Sequence, residues 1–208
     1  VFTEDNPSRE LSTAAALAAV SRVLKGFNDT LSVQSLQAAC ELFDRTRVTD
    51  RSEINKLQAA VELYLATHED GYKKYILGQQ KLIVDNIART GWFIGRADQA
   101  IKDKKFTENI RKALAAFRRE LEEQKKETPY GVPYKPSIWG AGWDIQSFGY
   151  QQYFLVQAYP DLFGPELLYS ALNFVLGCHP GSNTASFASG VGANSATVAY
   201  GLDRADWS

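Results

Sequence analysis

The chain has 208 residues, of which 45% are hydrophobic and 23% charged, and this composition excludes disorder over the whole length. Its formal net charge of −1 creates no field of one sign, so we expect neither nucleic acid nor a membrane as a partner. The sequence contains no run of about 18 apolar residues that could cross a bilayer, and Val1–Glu10 lacks the pattern of a signal peptide.

The first part of the chain is predicted to form helical hairpins. Apolar residues spaced by three and four positions predict one helix around Leu17–Phe27 and a second around Leu36–Phe43. A third helix is predicted to begin at about Ser52, where Asp50 and Glu53 have the spacing of a capping box. The first two helices should form a hairpin.

Four further helices are predicted along the rest of the chain, over about 72–88, 97–126, 145–159 and 165–177. The charged surface of the 97–126 helix is typical of a solvated face. With no convincing strand in the pattern, the fold class predicted is all-α.

The composition changes near residue 129. Residues 129–208 hold 15 of the 25 aromatic residues but only seven of the 47 charged ones. Such a region is either buried in a larger assembly or lines a site for a flat, uncharged ligand. Sugar rings are the obvious candidate, because aromatic faces stack on their C–H surfaces. The last stretch, Gly177–Ser208, is irregular, which indicates either a functional loop or a tail.

Four stretches of the sequence carry a family resemblance. They are "ELSTAAALAAVSRVLKGF", "LQAAVELYLATHEDGYKKYI", "YGVPYKPSIWGAGWDIQSFGYQQYFLVQAY" and "LLYSALNFVLGCHPGSNTASFASGVG". Their order resembles the middle and later part of glycoside hydrolase family 9, which contains cellulases. The resemblance implies an (α/α)6 toroid of helical hairpins, here an incomplete barrel, with residues 1–208 forming part of one catalytic domain without an internal boundary.

The same resemblance implies an enzyme that hydrolyses β-linked glucan with inversion. The family's base lies in an Asp-Ala-Gly-Asp motif and its acid is a glutamate near the C-terminus, and we find neither here. We therefore expect both catalytic carboxylates outside this chain, and no activity from the chain alone. A secreted or periplasmic location and a polysaccharide substrate are implied, as is self-association or attachment to the remainder of the parent chain.

A second departure from the family lies at the end of the sequence. Where the family has a His-His-Arg motif that contacts substrate, "GLDRADWS" retains Arg204 but places Leu202 and Asp203 at the histidine positions. Arg204 could donate to sugar hydroxyls or hold the loop through a carboxylate.

The candidate sugar-binding residues are mostly aromatic: Tyr134, Trp139, Trp143, His179, Asp203, Arg204 and Trp207. Trp139 and Trp143 are predicted to lie in a loop, where they either line a cleft or seal the core. His179 either forms a hydrogen bond with a sugar hydroxyl or has a structural role in its own loop. Trp207 either stacks on a sugar or packs in the segment that follows.

Two other function classes stay open. One is a non-catalytic helical module that binds carbohydrate or protein. The other is a toroid lyase or epimerase, for which Tyr134 and Tyr200 would be the catalytic candidates. With only Cys40 and Cys178 as cysteines, and with two histidines, we expect no metal site and no cofactor.

Overall fold

The computed structural model describes residues 5–128, 130–134, 141–182 and 184–195. These residues form nine α-helices and no strand, apart from one isolated bridge between Ala185 and Asn194. The helices are α1 (Pro7–Leu24), α2 (Asp29–Arg45), α3 (Glu53–Thr67), α4 (Asp70–Gly78), α5 (Gln80–Asp85), α6 (Ile87–Ile101), α7 (Lys104–Lys125), α8 (Ala141–Ala158) and α9 (Glu166–Val175). The all-α prediction is confirmed. None of the helices within these described ranges is long and apolar enough to cross a membrane.

The chain divides into two compact units, Val1–Ala113 and Leu114–Ser208, which we call unit 1 and unit 2. Each is described by itself. The prediction of a single domain without an internal boundary stays a prediction.

Unit 1 is built around α1, which packs on both α2 and α3, while α3 also packs on α4 and α6. The contact surfaces contain small residues that are fully buried, Ala14, Ala18, Ala59 and Ala60. Small side chains allow helix axes to approach closely. The predicted first hairpin is therefore present as α1 and α2.

The helix starts of unit 1 follow their capping residues. The side chains of Asn6 and Asn28 accept backbone N–H groups in the first turns of α1 and α2. The predicted capping box before α3 is wrong. Ser52 is the N-cap residue, and its hydroxyl bonds the backbone N–H and carbonyl of Thr49 instead of the helix.

Two predicted boundaries differ from the structure. The helix predicted over about 72–88 is divided into α4 and α5, and α6 begins at Ile87. The helix predicted from residue 97 begins only at Lys104, because Lys102 adopts a left-handed conformation with φ 53°. The Asp103 side chain then accepts the N–H of Phe106 and starts α7.

Unit 2 contains the α8 and α9 pair. The helices approach closely at Gly149, where an added Cβ atom would lie 3.1 Å from the Cβ of Ala171. The core cluster beside them consists of Val132, Ile145, Ala171 and Phe174. Because α8 begins at Ala141, the prediction that Trp143 lies in a loop is wrong: it lies in the first turn of a helix.

Candidate functional site

The segment that follows α9 closes the C-terminal end of that helix. Every carbonyl from Leu172 to Leu176 accepts a backbone N–H from a later residue, and the donors are, in order, Leu176, Cys178, Gly177, Phe187 and Ala193. Their N···O distances lie between 2.7 and 3.1 Å. These carbonyls would otherwise have no partner within the helix. Residues 177–195, where described, thus form a bonded loop and not a tail, and we call them the closing loop.

A glycine and a serine fix the crossing of the closing loop over the helix end. Gly192 has φ +95°, and a Cβ atom there would lie 2.4 Å from the carbonyl oxygen of Leu176 and 2.6 Å from Ser186 Oγ. Ser186 is 5% exposed, and its N–H donates to the carbonyl of Asn194 at 2.7 Å. Only glycine combines this backbone angle with this close approach.

The closing loop adds two rings to an aromatic stack. Phe174 of α9 stacks on both Phe187 and His179, with ring centroids 5.5 Å and 5.4 Å away and planes inclined by 21° and 26°. Tyr130 meets both Phe174 and His179 edge-on. We call these four residues the aromatic column. Phe187 is its exposed member, with 61% of the residue accessible.

His179 has a structural role in this column. Its Nδ1 accepts the backbone N–H of Gly181 at 3.0 Å. In the neutral ring the proton therefore resides on Nε2, which is a donor. The predicted contact between His179 and a sugar stays a prediction, and the structural alternative is present in the geometry.

Trp143 lies near the exposed end of the column. The residue before it, Gly142, packs against Phe187, since an added Cβ would lie 3.0 Å from Phe187 Cδ1. Trp143 itself is 79% exposed, so it does not seal the core of unit 2. Tyr134 is partly buried against the core cluster. The other candidates, Trp139, Asp203, Arg204 and Trp207, lie outside the described residues, as does Tyr200.

A buried ionic group in unit 1 was not predicted. Glu62 of α3 has 4% of its side chain exposed and forms ion pairs with Arg22 of α1 and Arg96 of α6. Arg22 also donates to the main-chain carbonyl of Glu62 at 2.7 Å. This Glu62 centre joins three helices. The signal in the sequence was a single acidic residue in the apolar run "AAVELYLA".

A second polar cluster in unit 1 surrounds Phe43. Lys56 donates to the Phe43 carbonyl, and its Nζ lies 3.5 Å from the centroid of the Phe43 ring. Burial lowers the pKa of Lys56, and the Asp44 carboxylate partly offsets this effect. Burial also raises the pKa of Tyr72, whose hydroxyl bonds Cys40 Sγ, and that of Tyr75.

Unit 1 also contains a cavity of about 260 Å³ beside Arg22, lined in part by Ser21, Ser32 and Leu36. Both serine hydroxyls already donate to main-chain carbonyls. The arginine is committed to Glu62. No group of three or more histidine, cysteine or acidic residues that could hold a metal occurs in the parts of the chain that the structure describes.

The comparisons with known proteins agree with this architecture. A metagenome-derived glycoside hydrolase family 9 endoglucanase of known crystal structure matches with a TM-score of 0.64 and 19% sequence identity, over 89% of this chain. The likeness shows the fold, an all-α toroid of helical hairpins. The chain spans 39% of that endoglucanase. No curated protein matches the sequence. The model of the family described as Glycosyl hydrolase family 9 matches residues 2–200, and the chain therefore belongs to that family.

Proposed function

We propose that this chain is part of a glycoside hydrolase that cleaves β-linked glucan with inversion at the anomeric carbon. The family match over residues 2–200 is the observation that carries the proposal. Phe187 of the aromatic column and Trp143 support it, because both are exposed rings in a region with few charges. Such a surface suits a neutral sugar chain better than an ionic ligand.

The inverting reaction requires two carboxyl groups. One protonates the leaving oxygen while the other activates a water molecule on the opposite face of the sugar, and their separation is about 6.5–9.5 Å. The sequence contains no Asp-Ala-Gly-Asp segment. In our proposal both groups come from outside these 208 residues, and this chain binds and orients the sugar.

Binding would combine stacking and hydrogen bonding. Trp143 and Trp139 would stack on sugar rings, with Tyr134 beside them. The Nε2–H of His179 would donate to a hydroxyl, as would the guanidinium of Arg204. Leu202 lacks the hydrogen-bonding groups of a histidine, and Asp203 can only accept when ionised. This end of the site would therefore bind sugar less tightly than a His-His-Arg motif does. Since a polysaccharide is outside the cell, we place the reaction in the extracellular space or periplasm.

The test of this proposal is an assay of the full gene product on soluble β-glucans. We expect new reducing ends, and by NMR the first product should be the α-anomer, since inversion of a β-linkage gives that configuration. Initial release of the β-anomer would contradict inversion but would leave the proposed hydrolysis intact. Binding without new reducing ends would contradict hydrolysis and favour the non-catalytic module. Absorbance from an unsaturated sugar would identify a lyase.

Trp143→Ala tests the binding part of the proposal. We expect a higher KM, with kcat changed less, because a stacking contact that is equally strong in the ground state and the transition state contributes to binding alone. Tyr169→Ala is the matched control, since Tyr169 is 57% exposed on α9. An unchanged KM in the Trp143 variant would remove this residue from the sugar site.

A further inference from the structure

We propose that Phe187 is a sugar-stacking residue, a platform that holds one ring of a neutral glucan chain at the end of the closing loop. This inference rests on the proposed function and deepens it. Its starting point is an unusual combination: a large aromatic side chain that is 61% exposed and yet fixed by several contacts.

Phe187 is exposed while its ring stacks on Phe174. One face of the ring lies on Phe174, with nearly parallel planes and a centroid distance of 5.5 Å. Gly142 of α8 lies beside the ring, since a Cβ atom there would lie 3.0 Å from Cδ1 and 3.4 Å from Cγ of Phe187. The residue is still 61% exposed, and in this proposal a ligand stacks on the accessible part of the ring. A sugar presents a similar flat surface of C–H groups.

The backbone of Phe187 is held as well. Its N–H donates to the carbonyl of Val175 at 2.9 Å, at the end of α9. The residue before it, Ser186, is buried. Its hydroxyl donates to the carbonyl of Ala188 and accepts the N–H of the same residue, both at 3.0 Å. A ring that is fixed before binding loses little conformational freedom when a ligand stacks on it.

The surroundings favour a neutral polymer. Gly142 of α8 lies beside Phe187 of the closing loop, and Trp143 follows Gly142 directly. Trp143 is 79% exposed, so an exposed aromatic side chain is present on each side of this contact. Residues 129–208 contain only seven charged residues. The comparison within unit 2 is Tyr169, which is similarly exposed at 57% but lies on the surface of α9.

The experiment measures the affinity of the full gene product for cellohexaose by calorimetry, with activity on β-glucan measured in parallel. Phe187→Ala should weaken binding by about 2- to 10-fold, which is the range for one aromatic stacking contact. Phe187→Leu retains apolar contact with Phe174 but offers no ring, so it should bind as weakly as the alanine variant. Phe187→Trp should restore affinity, and Tyr169→Ala should leave it unchanged.

The outcomes separate the two proposals. If Phe187→Leu binds as tightly as the unsubstituted protein while hydrolysis is observed, the stacking role of Phe187 is wrong and the proposed function stands. An equal loss in Phe187→Ala and Tyr169→Ala would also overturn it, because the effect would not be specific to the closing loop. If the unsubstituted protein neither binds nor cleaves β-glucan, both proposals fail. Thermal unfolding of each variant checks that the fold is retained.

Discussion

The two units satisfy their buried polar groups in different ways. In unit 1 a buried carboxylate, Glu62, joins three helices through Arg22 and Arg96. In unit 2 the main chain of the closing loop satisfies the carbonyl groups at the end of α9, and this arrangement leaves Phe187 exposed. The exposed aromatic residues show the same contrast. Among the residues that the structure describes, the exposed aromatic ones are Phe27 in unit 1 and Trp143, Tyr150, Tyr153, Tyr169 and Phe187 in unit 2.

This difference indicates which unit should contribute most to the stability of the fold and which should bind the sugar. Charged side chains that pair with each other inside a helix bundle hold the helices together, and their hydrogen-bonding groups are not available to a ligand. Aromatic rings on a loop that is bonded to a rigid helix are available to a ligand and already in place. Substitutions in unit 1 should therefore change stability, whereas substitutions at the closing loop should change both loop order and sugar binding.

The largest effect is expected for Glu62→Gln. The variant removes the charge that compensates two arginines, each about one quarter exposed, while keeping the shape of the side chain. We expect a loss of about 3 kcal/mol in the free energy of unfolding, measured with urea. Asp85→Asn is the control, since its pair with Lys81 is on the surface, and it should cost at most about 1 kcal/mol. Equal losses would refute a special role for the Glu62 centre.

The next effect concerns the closing loop. Gly192→Ala combines an unfavourable positive φ with a Cβ atom 2.4 Å from a carbonyl oxygen, and we expect it to cost about 2 kcal/mol. Hydrogen exchange should become faster at the amides of Ala193 and Phe187. Gly190→Ala is a matched control, because its φ is +75° but nothing lies within 4 Å of the added atom. If both variants leave exchange at these amides unchanged, the loop is not held as described.

A smaller effect of opposite sign is expected for Gln152→Leu. Gln152 of α8 is 1% exposed, and its Oε1 has no hydrogen-bond partner among the described residues. An apolar side chain of similar size should raise the free energy of unfolding by about 1 kcal/mol. Gln157→Leu, at an exposed position of the same helix, should change it little. Destabilisation by Gln152→Leu would show that this amide has a partner.

The smallest effect is a pH dependence in unit 1. Burial lowers the pKa of Lys56 below 10.5, so the unfolded chain binds more protons there than the folded chain does. Stability should therefore rise with pH between that lowered value and 10.5. Above about pH 10 the raised pKa values of Tyr72 and Tyr75 act in the opposite direction. Urea unfolding at a series of pH values below about 10 should show the rise, and Lys56→Met should flatten it.

The helical fold was predictable from the sequence because apolar spacing reports directly on a buried helix face. The errors occurred where packing overrides local preference. No helix was predicted between residues 88 and 97, a stretch with two glycines, yet Gly91 and Gly95 are buried inside α6. Lys102 could not be identified as the end of α6, since its left-handed conformation is uncommon for lysine.

The site was predictable in part. The many aromatic and few charged residues after residue 129 pointed to Trp143, although it lies in a helix and not in a loop. Phe187 was not singled out, because its exposure depends on hydrogen bonds between the closing loop and α9 that no local pattern reveals. Glu62 was missed for a similar reason. Its partners come from α1 and α6, which are distant in the sequence.

The most direct test of the contrast between the units is an NMR titration of the full gene product with cellohexaose. We expect chemical-shift changes at the Trp143 indole and at the backbone amides of residues 184–188, with none around Glu62. Changes centred on the Glu62 centre or the cavity beside Arg22, or no changes at any concentration, would contradict the assignment of sugar binding to the closing loop.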